Sequence, residues 1–106
     1  MNIFLNKKIL IYGLGKTGRS ALEFLKKKAE IFVYDDHLSK FENLGIKNTI
    51  SYKNLLKLNF DQIILSPGID IKKCKLSKFL KKNHNKIYSD LDVFYSFYKN
   101  NCITIT

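Results

Sequence analysis

Three glycines near the start of the chain have the spacing of a phosphate-binding loop. The pattern is G-x-G-x-x-G, and its six residues are Gly13-Leu14-Gly15-Lys16-Thr17-Gly18. In such a loop the first glycine permits a tight turn and the second lets a phosphate approach the backbone. The third lets a helix pack closely on a strand. The pattern also occurs in glycine-rich turns that bind nothing, so its surroundings decide its meaning.

An acidic pair follows the next apolar run of the sequence. Asp35 and Asp36 end this run and precede His37. In dinucleotide-binding folds an acidic residue at this place accepts hydrogen bonds from ribose hydroxyls, which makes NAD the first ligand to consider. Two ordinary roles stay open, a turn or helix cap for Asp35 and a solvated loop for Asp36.

A third set of residues ends a later apolar run. Ser66-Pro67-Gly68 marks a sharp turn, and its glycine lets the backbone come close to a ligand. In the usual doubly wound strand order this turn faces the same crevice as the glycine-rich loop. An ordinary connection from a strand to a helix is the alternative.

The elements that must position these residues alternate between strands and helices. Continuous apolar runs predict strands over Lys8–Tyr12, Ile31–Tyr34 and Asp61–Leu65, and thinner patterns predict strands over Asn48–Tyr52 and Lys86–Tyr88. Such alternation is typical of an α/β protein with right-handed crossovers. We therefore predict one domain with a Rossmann-like, doubly wound, five-stranded parallel sheet and flanking helices.

Helical spacing of apolar residues predicts the connecting helices. The segments are Thr17–Lys28, Leu38–Gly45, Asn54–Leu58, Lys75–Lys82 and Ser89–Lys99, of which the second and third have weak patterns. The last helix is expected to begin with Ser89 and Asp90 as a capping pair. Its expected buried residues are Leu91, Phe94, Tyr95 and Tyr98.

The net charge of +10 raises the question of a nucleic-acid partner. The 19 basic residues comprise 18 lysines and Arg19, and they are spread along the whole chain. Codon bias of an AT-rich genome, combined with solvated lysine-rich faces, explains this composition, and no nucleic-acid-binding motif is present. A basic nucleic-acid-binding module is therefore the third alternative, after a nucleotide-binding domain and an NAD-binding one.

The remaining composition argues against metal and membrane sites. Cys74 and Cys102 have no second Cys or His at metal-ligand spacing, so no zinc site is predicted. The isolated His37 and His84 are predicted to be surface or loop residues. No apolar run approaches the roughly 20 residues of a membrane span, and no signal peptide is visible, so we expect a cytoplasmic protein.

Taken together, these motifs resemble the first domain of the Mur ligase family, and most closely its D-glutamate-adding branch. The resemblance extends over essentially the whole chain. The segments that carry it are Ile11–Gly18, Tyr34–Asp36, Ile64–Ile69, Ser89–Phe94 and Ile103–Thr106.

The resemblance implies a domain that holds the UDP end of UDP-N-acetylmuramoyl-L-alanine instead of NAD. The implied substrate-binding residues are Gly13, Leu14, Gly15, Lys16, Thr17, Gly18, Asp35, Asp36, His37, Ser66, Pro67 and Gly68. The glycine-rich loop would approach the diphosphate or uridine, the residues from Asp35 would surround uracil and ribose, and the turn from Ser66 would close the pocket. Many relatives have Thr-Arg where this chain has Asp36-His37. His37 could stack on the base, without the permanent charge of arginine.

For the complete enzyme, the resemblance implies ATP and magnesium. ATP would phosphorylate the substrate carboxylate, and the amine of D-glutamate would then attack the acyl phosphate. Residues 1–100 would be the UDP-binding domain, and residues 101–106 would begin the first strand of a central ATP-binding domain. The chain alone is expected to have no catalytic residue, metal or cofactor, to be monomeric, and to bind neither nucleic acid nor membrane. An NAD-binding domain of a dehydrogenase or regulatory protein is the alternative.

Overall fold

The computed structural model of the chain describes residues 3–37 and 48–98. Strands and helices alternate along most of this part of the chain, and a short 3-10 helix, His84–Lys86, precedes the last strand. The strands are β1 Lys8–Tyr12, β2 Glu30–Tyr34, β3 Gln62–Leu65 and β4 Ile87–Ser89. The helices are α1 Lys16–Leu25, α2 Tyr52–Leu56, α3 Ser77–Lys82 and α4 Asp90–Tyr98.

The four strands form one parallel sheet in the order β2-β1-β3-β4. Ile11 of the central strand pairs with Val33 on one side and with Ile64 on the other. The chain therefore runs outward from β1 to β2 and then returns to the opposite side of β1. This reversal between β1 and β3 is where open α/β sheets leave a crevice at the carboxyl ends of their strands.

The prediction of a fifth strand over Asn48–Tyr52 is not confirmed. Only a single bridge joins this segment to the sheet, between Thr49 and Val33. The Val33 N–H donates to the Asn48 carbonyl at 2.9 Å, and the Ile50 N–H donates to the Val33 carbonyl at 3.0 Å. Ser51 then caps α2 with its side chain, so the helix begins at Tyr52, three residues after the bridge. The segment lies beside β2, as the doubly wound order requires, without extending into a strand.

Alternate residues of β1 face two different cores, as expected for a strand covered on both faces. Ile9 and Ile11 pack on the side of α1 and α4, whereas Leu10 and Tyr12 pack on the side of α2 and α3. All four are fully buried. Burial of each such side chain stabilises the fold by about 1.5–3 kcal/mol, so β1 contributes to the stability of both cores.

Helix α4 confirms Ser89 as the predicted capping residue, but with a different partner, and it confirms only part of the predicted buried face. The Ser89 hydroxyl oxygen accepts from the Asp92 N–H at 3.1 Å, and the Asp92 carboxylate accepts from the Ser89 N–H at 2.8 Å, so the cap pairs Ser89 with Asp92 instead of Asp90. Leu91 and Tyr95 were predicted to be buried and are instead 71% and 73% exposed. Phe94 is half-buried, with its ring 5.4 Å from that of Phe24, and the side chain of Tyr98 lies outside the described part of the structure.

The helix begins at Asp90, which is itself buried. Buried Val93 and half-buried Phe97 follow Asp90 at helical spacing and pack towards α1.

Two predicted helices are shorter than expected. Helix α1 ends at Leu25, and residues 26–28 form a turn; α3 begins at Ser77 instead of Lys75. The predicted helix over Leu38–Gly45 lies outside the described residues, as do 99–106 with Cys102. No helix in the described ranges is long and apolar enough to cross a membrane.

Candidate functional site

Three segments meet at the carboxyl edge of the sheet. They are the glycine-rich loop after β1, residues 35–37 after β2, and the turn 66–69 after β3. Parallel strands bring their carboxyl ends to one edge, so the topology itself brings the three predicted sets of residues together.

Gly13 is the point at which the loop is fixed to both neighbouring strands. Its N–H donates to the Tyr34 carbonyl of β2 at 2.8 Å, and its carbonyl accepts from the Ser66 hydroxyl at 3.3 Å. Its φ of 107° lies in the region that favours glycine, and a Cβ atom here would lie 2.6 Å from the Ser66 oxygen. Gly13 therefore shapes the loop and has no room for a side chain.

The other two glycines of the loop have opposite surroundings. A Cβ atom on Gly18 would overlap the carbonyl oxygen of Gly13, so α1 can approach β1 only without a side chain there. A Cβ atom on Gly15 would meet no atom within 4 Å. Packing thus requires Gly18, whereas the space beside Gly15 is open to a ligand.

The N-terminus of α1 offers its backbone donors to this open space. Gly15 is the N-cap, and no side chain in the described residues caps the helix. The first turn contains no acidic residue, and Lys16 is exposed within it. Uncapped N–H groups and the partial positive charge of a helix N-terminus favour an anion.

Asp35 connects the end of β2 to the glycine-rich loop. One carboxylate oxygen accepts from the Leu14 N–H and the other from the His37 N–H, both at 2.7 Å. A carboxylate oxygen has two acceptor positions, so each still has one for a ligand. Asp35 can thus hold the loop in place and accept a hydrogen bond from a ligand hydroxyl or N–H.

Asp36 connects the central strand to the segment that follows β3. One oxygen accepts from the Tyr12 hydroxyl at 2.7 Å, and the other accepts from the Lys75 N–H at 3.2 Å. Tyr12 is fully buried. Burial raises the pKa of Tyr12, and the nearby Asp36 carboxylate and Cys74 thiol raise it further. The Tyr12 hydroxyl therefore remains a proton donor at any physiological pH.

A pocket of about 280 Å³ lies beside these carboxylates. Its walls are residues Asp35, Asp36 and His37 on one side and Gly68, Ile69, Asp70, Lys73 and Cys74 on the other. Three carboxylates and one lysine make the pocket negative, in contrast to the N-terminus of α1. The site therefore has an end suited to an anion and an end suited to a neutral or donor-rich group.

Tyr34 lies beside the same carboxylates and is buried. Its pKa is raised by burial, and then by the charges of Asp36, Tyr52 and Asp35. The contribution of the two carboxylates agrees with the negative character of the pocket, because a deprotonated, negatively charged Tyr34 beside them would be unfavourable.

Several residues of this site were not predicted from the sequence. Tyr12, Asp70, Lys73 and Lys75 were not among the predicted site residues, and Cys74 was considered only as a possible metal ligand. The position of Tyr12, as the last residue of a buried strand before Gly13, was a usable signal, because a buried tyrosine hydroxyl needs a partner. The segment 70–75 offered no comparable motif.

Other candidate residues lie apart from the pocket or form no cluster. His84 is exposed in the 3-10 helix, where its Nδ1 lies 3.3 Å from the Lys81 carbonyl. Cys74 is a free thiol. Within 3–37 and 48–98, no three His, Cys, Asp or Glu side chains come together in a way that could hold a metal ion.

Comparison with known proteins identifies the family. Residues 7–87 match the family described as "Mur ligase MurD-like, N-terminal domain". The chain belongs to this family. The match includes the glycine-rich loop, Asp35 and the Ser66 turn, which are the segments that meet at the carboxyl edge of the sheet.

Curated relatives agree with the family. The chain is 38% identical to "UDP-N-acetylmuramoylalanine--D-glutamate ligase" of Rickettsia felis over 100% of its own length and 24% of the relative. It is 38% identical to the ligase of the same name from Rickettsia bellii, over 90% of the chain and 22% of the relative. The corresponding values for Wolbachia pipientis are 31%, 89% and 19%.

The chain thus spans about a quarter or less of the length of these curated relatives. The relatives' name states that they join UDP-N-acetylmuramoylalanine to D-glutamate. No solved structure gives a significant match to this chain.

Proposed function

We propose that this chain binds the UDP end of UDP-N-acetylmuramoyl-L-alanine, as the substrate-binding domain of a D-glutamate-adding Mur ligase. The family match and the names of the relatives support the substrate class. The crevice at the strand reversal supports the location, because α/β sheets bind nucleotides there.

The observation that carries the proposal is the open N-terminus of α1. Gly15 leaves room for a phosphate at the backbone, and the uncapped helix presents its N–H groups and Lys16 to the same space. The diphosphate is the group that this arrangement fits, since backbone donors and a helix N-terminus both favour negative charge. Thr17, in the same turn, is a second predicted contact.

The charges of the site set the direction in which UDP lies. The pocket beside Asp35 contains three carboxylates and would repel a phosphate. Uracil and ribose carry N–H and O–H donors, so they are the end of UDP that suits the free acceptor positions of Asp35. His37 lines the same pocket, and we expect it to contact the base.

In the complete ligase this domain would contribute binding energy far from the reacting carboxylate. Holding the UDP end fixes the substrate, and such remote binding can lower the barrier at the distant reacting group. ATP with magnesium would supply the acyl phosphate that the amine of D-glutamate attacks. No residue of this chain is assigned to those reactants, and a monomeric state and a cytoplasmic location stay predictions.

Titration calorimetry of the chain with UDP, NAD and inorganic pyrophosphate, at about 0.15 M salt, tests the proposal. Salt at this concentration screens non-specific attraction to the net charge of +10. Saturable binding of UDP that exceeds the binding of pyrophosphate and NAD is the expected result. Binding of NAD without UDP would instead indicate a dinucleotide-binding protein, and equal binding of UDP and pyrophosphate would exclude a nucleoside pocket.

A further inference from the structure

We propose that Asp36 is a positioning residue, which joins the two walls of the pocket through Tyr12 and Lys75 instead of contacting the nucleotide. The inference rests on the proposed function, because it assigns a role within the UDP site. It also changes the expectation drawn from the family resemblance, which placed Asp36 among the residues around uracil and ribose.

The walls that Asp36 joins come from distant parts of the sequence. One wall follows β2, and the other is the segment 68–74 that follows β3. Lys75 directly follows this second segment, and its N–H donates to Asp36, which connects residues that are 39 positions apart. This bond therefore adds a polar connection to the packing of Ile69 and Cys74 in the core cluster that contains Tyr34 of β2.

Tyr12 gives Asp36 a rigid support. It is the last residue of the central strand, it is fully buried, and its ring packs against the ring of Tyr34 at 5.8 Å. Its hydroxyl bonds to one Asp36 oxygen at 2.7 Å and so leaves the other oxygen directed at Lys75. A hydrogen bond to a charged group is stronger than one between neutral groups, and its loss would leave a buried donor unpaired.

Both oxygens of each carboxylate accept a hydrogen bond, and it is the kind of donor that distinguishes Asp36 from Asp35. In the described part of the chain, the two donors to Asp35 are backbone N–H groups, those of Leu14 and His37, and Asp35 also lines the pocket. Asp36 instead spans a buried hydroxyl and the opposite wall. We therefore expect substitutions at Tyr12, which does not line the pocket, to weaken UDP binding as substitutions at Asp36 do.

A double-mutant cycle tests this coupling. The variants are Tyr12→Phe, Asp36→Ala and their combination, with Tyr88→Phe as the control, because Tyr88 packs on the other face of the sheet. UDP affinity is measured by calorimetry and folding by urea denaturation. Loss of the Tyr12 hydroxyl is expected to weaken UDP binding about tenfold, and the double variant should bind no more weakly than Asp36→Ala alone. Tyr88→Phe should bind like the wild type.

An unchanged UDP affinity in folded Tyr12→Phe would overturn the inference, as would additive losses in the double variant.

Amide hydrogen exchange at Lys75 distinguishes failure of this inference from failure of the proposed function. If the wild type does not bind UDP, the function is wrong, yet faster exchange at Lys75 in Tyr12→Phe would still support the connection between the walls. Unchanged exchange at Lys75 would overturn that connection. Since Tyr12→Phe keeps the ring, it remains informative if Asp36→Ala does not fold.

Discussion

The two ends of the candidate site are built in opposite ways. At the N-terminus of α1, Gly15 leaves empty space and no described side chain caps the backbone donors. At the acidic pocket, the protein supplies a donor to each carboxylate oxygen of Asp35 and Asp36. The phosphate end of the site therefore depends on the absence of a side chain at Gly15 and of a cap on α1. The nucleoside end depends instead on hydrogen bonds that hold its walls together.

The same contrast appears within the glycine-rich loop. Gly13 and Gly18 are required by packing and by backbone conformation, and Gly15 is required by neither. One motif thus combines residues whose replacement would affect folding with a residue whose replacement would affect binding. Substitutions at these positions separate the two roles.

The largest effect is expected from Gly18→Ala. Its new methyl group would overlap the Gly13 carbonyl oxygen, which is backbone and cannot rotate away. Helix α1 would have to move from β1, at a cost of about 3 kcal/mol in the free energy of unfolding. Urea denaturation followed by circular dichroism measures this change.

Gly68→Ala is the matched control, because a methyl group there would meet no atom within 4 Å. Its free energy of unfolding should stay within about 0.5 kcal/mol of the wild type. Equal stability of both variants would show that the close packing of α1 on β1 does not depend on Gly18.

The second largest effect is expected from Gly15→Val, which should weaken UDP binding without preventing folding. The side chain would fill the space that the phosphate needs, and we expect UDP affinity to fall about a hundredfold. Stability should change little, since nothing within 4 Å opposes the new Cβ atom. Calorimetry and urea denaturation on the same preparation measure both quantities. Unchanged UDP affinity in the folded variant would exclude this loop as the phosphate site.

The fold was predictable from sequence wherever burial dominated. Strands β1, β2 and β3 are continuous apolar runs, and their bounds differ from the prediction by one residue at most. The structure of segment 48–52 was harder to predict. The segment makes one bridge to β2 at Thr49, and Ser51 then caps α2, so the strand does not continue. The exposure of Leu91 and Tyr95 was missed because the helix buries Asp90 and Val93, and a buried acidic residue breaks the apolar pattern on which the prediction relied.

The site was predictable as far as its motifs are local. The glycine-rich loop, Asp35 and the Ser66 turn meet as the doubly wound order predicts, although their contacts with UDP stay a prediction. The bonds of Asp36 to Tyr12 and Lys75 join residues 24 and 39 positions apart. No local pattern encodes such pairs, since they depend on how the strands and loops pack together.

The smallest effect is expected from Lys16→Met, which tests whether charge adds to the backbone donors of α1. Lys16 is exposed, so water and salt screen its attraction to a diphosphate. We expect UDP to bind about threefold more weakly at low salt and almost equally at about 0.5 M salt. Lys27→Met, which removes an exposed charge just beyond the opposite end of α1, lowers the net charge equally and should change affinity less. Equal losses in both variants would mean that net charge alone attracts UDP. A larger loss of UDP affinity in Lys16→Met that persists at high salt would instead mean that Lys16 contacts the phosphate directly. The diphosphate would then be bound both by the open backbone at Gly15 and by the Lys16 side chain.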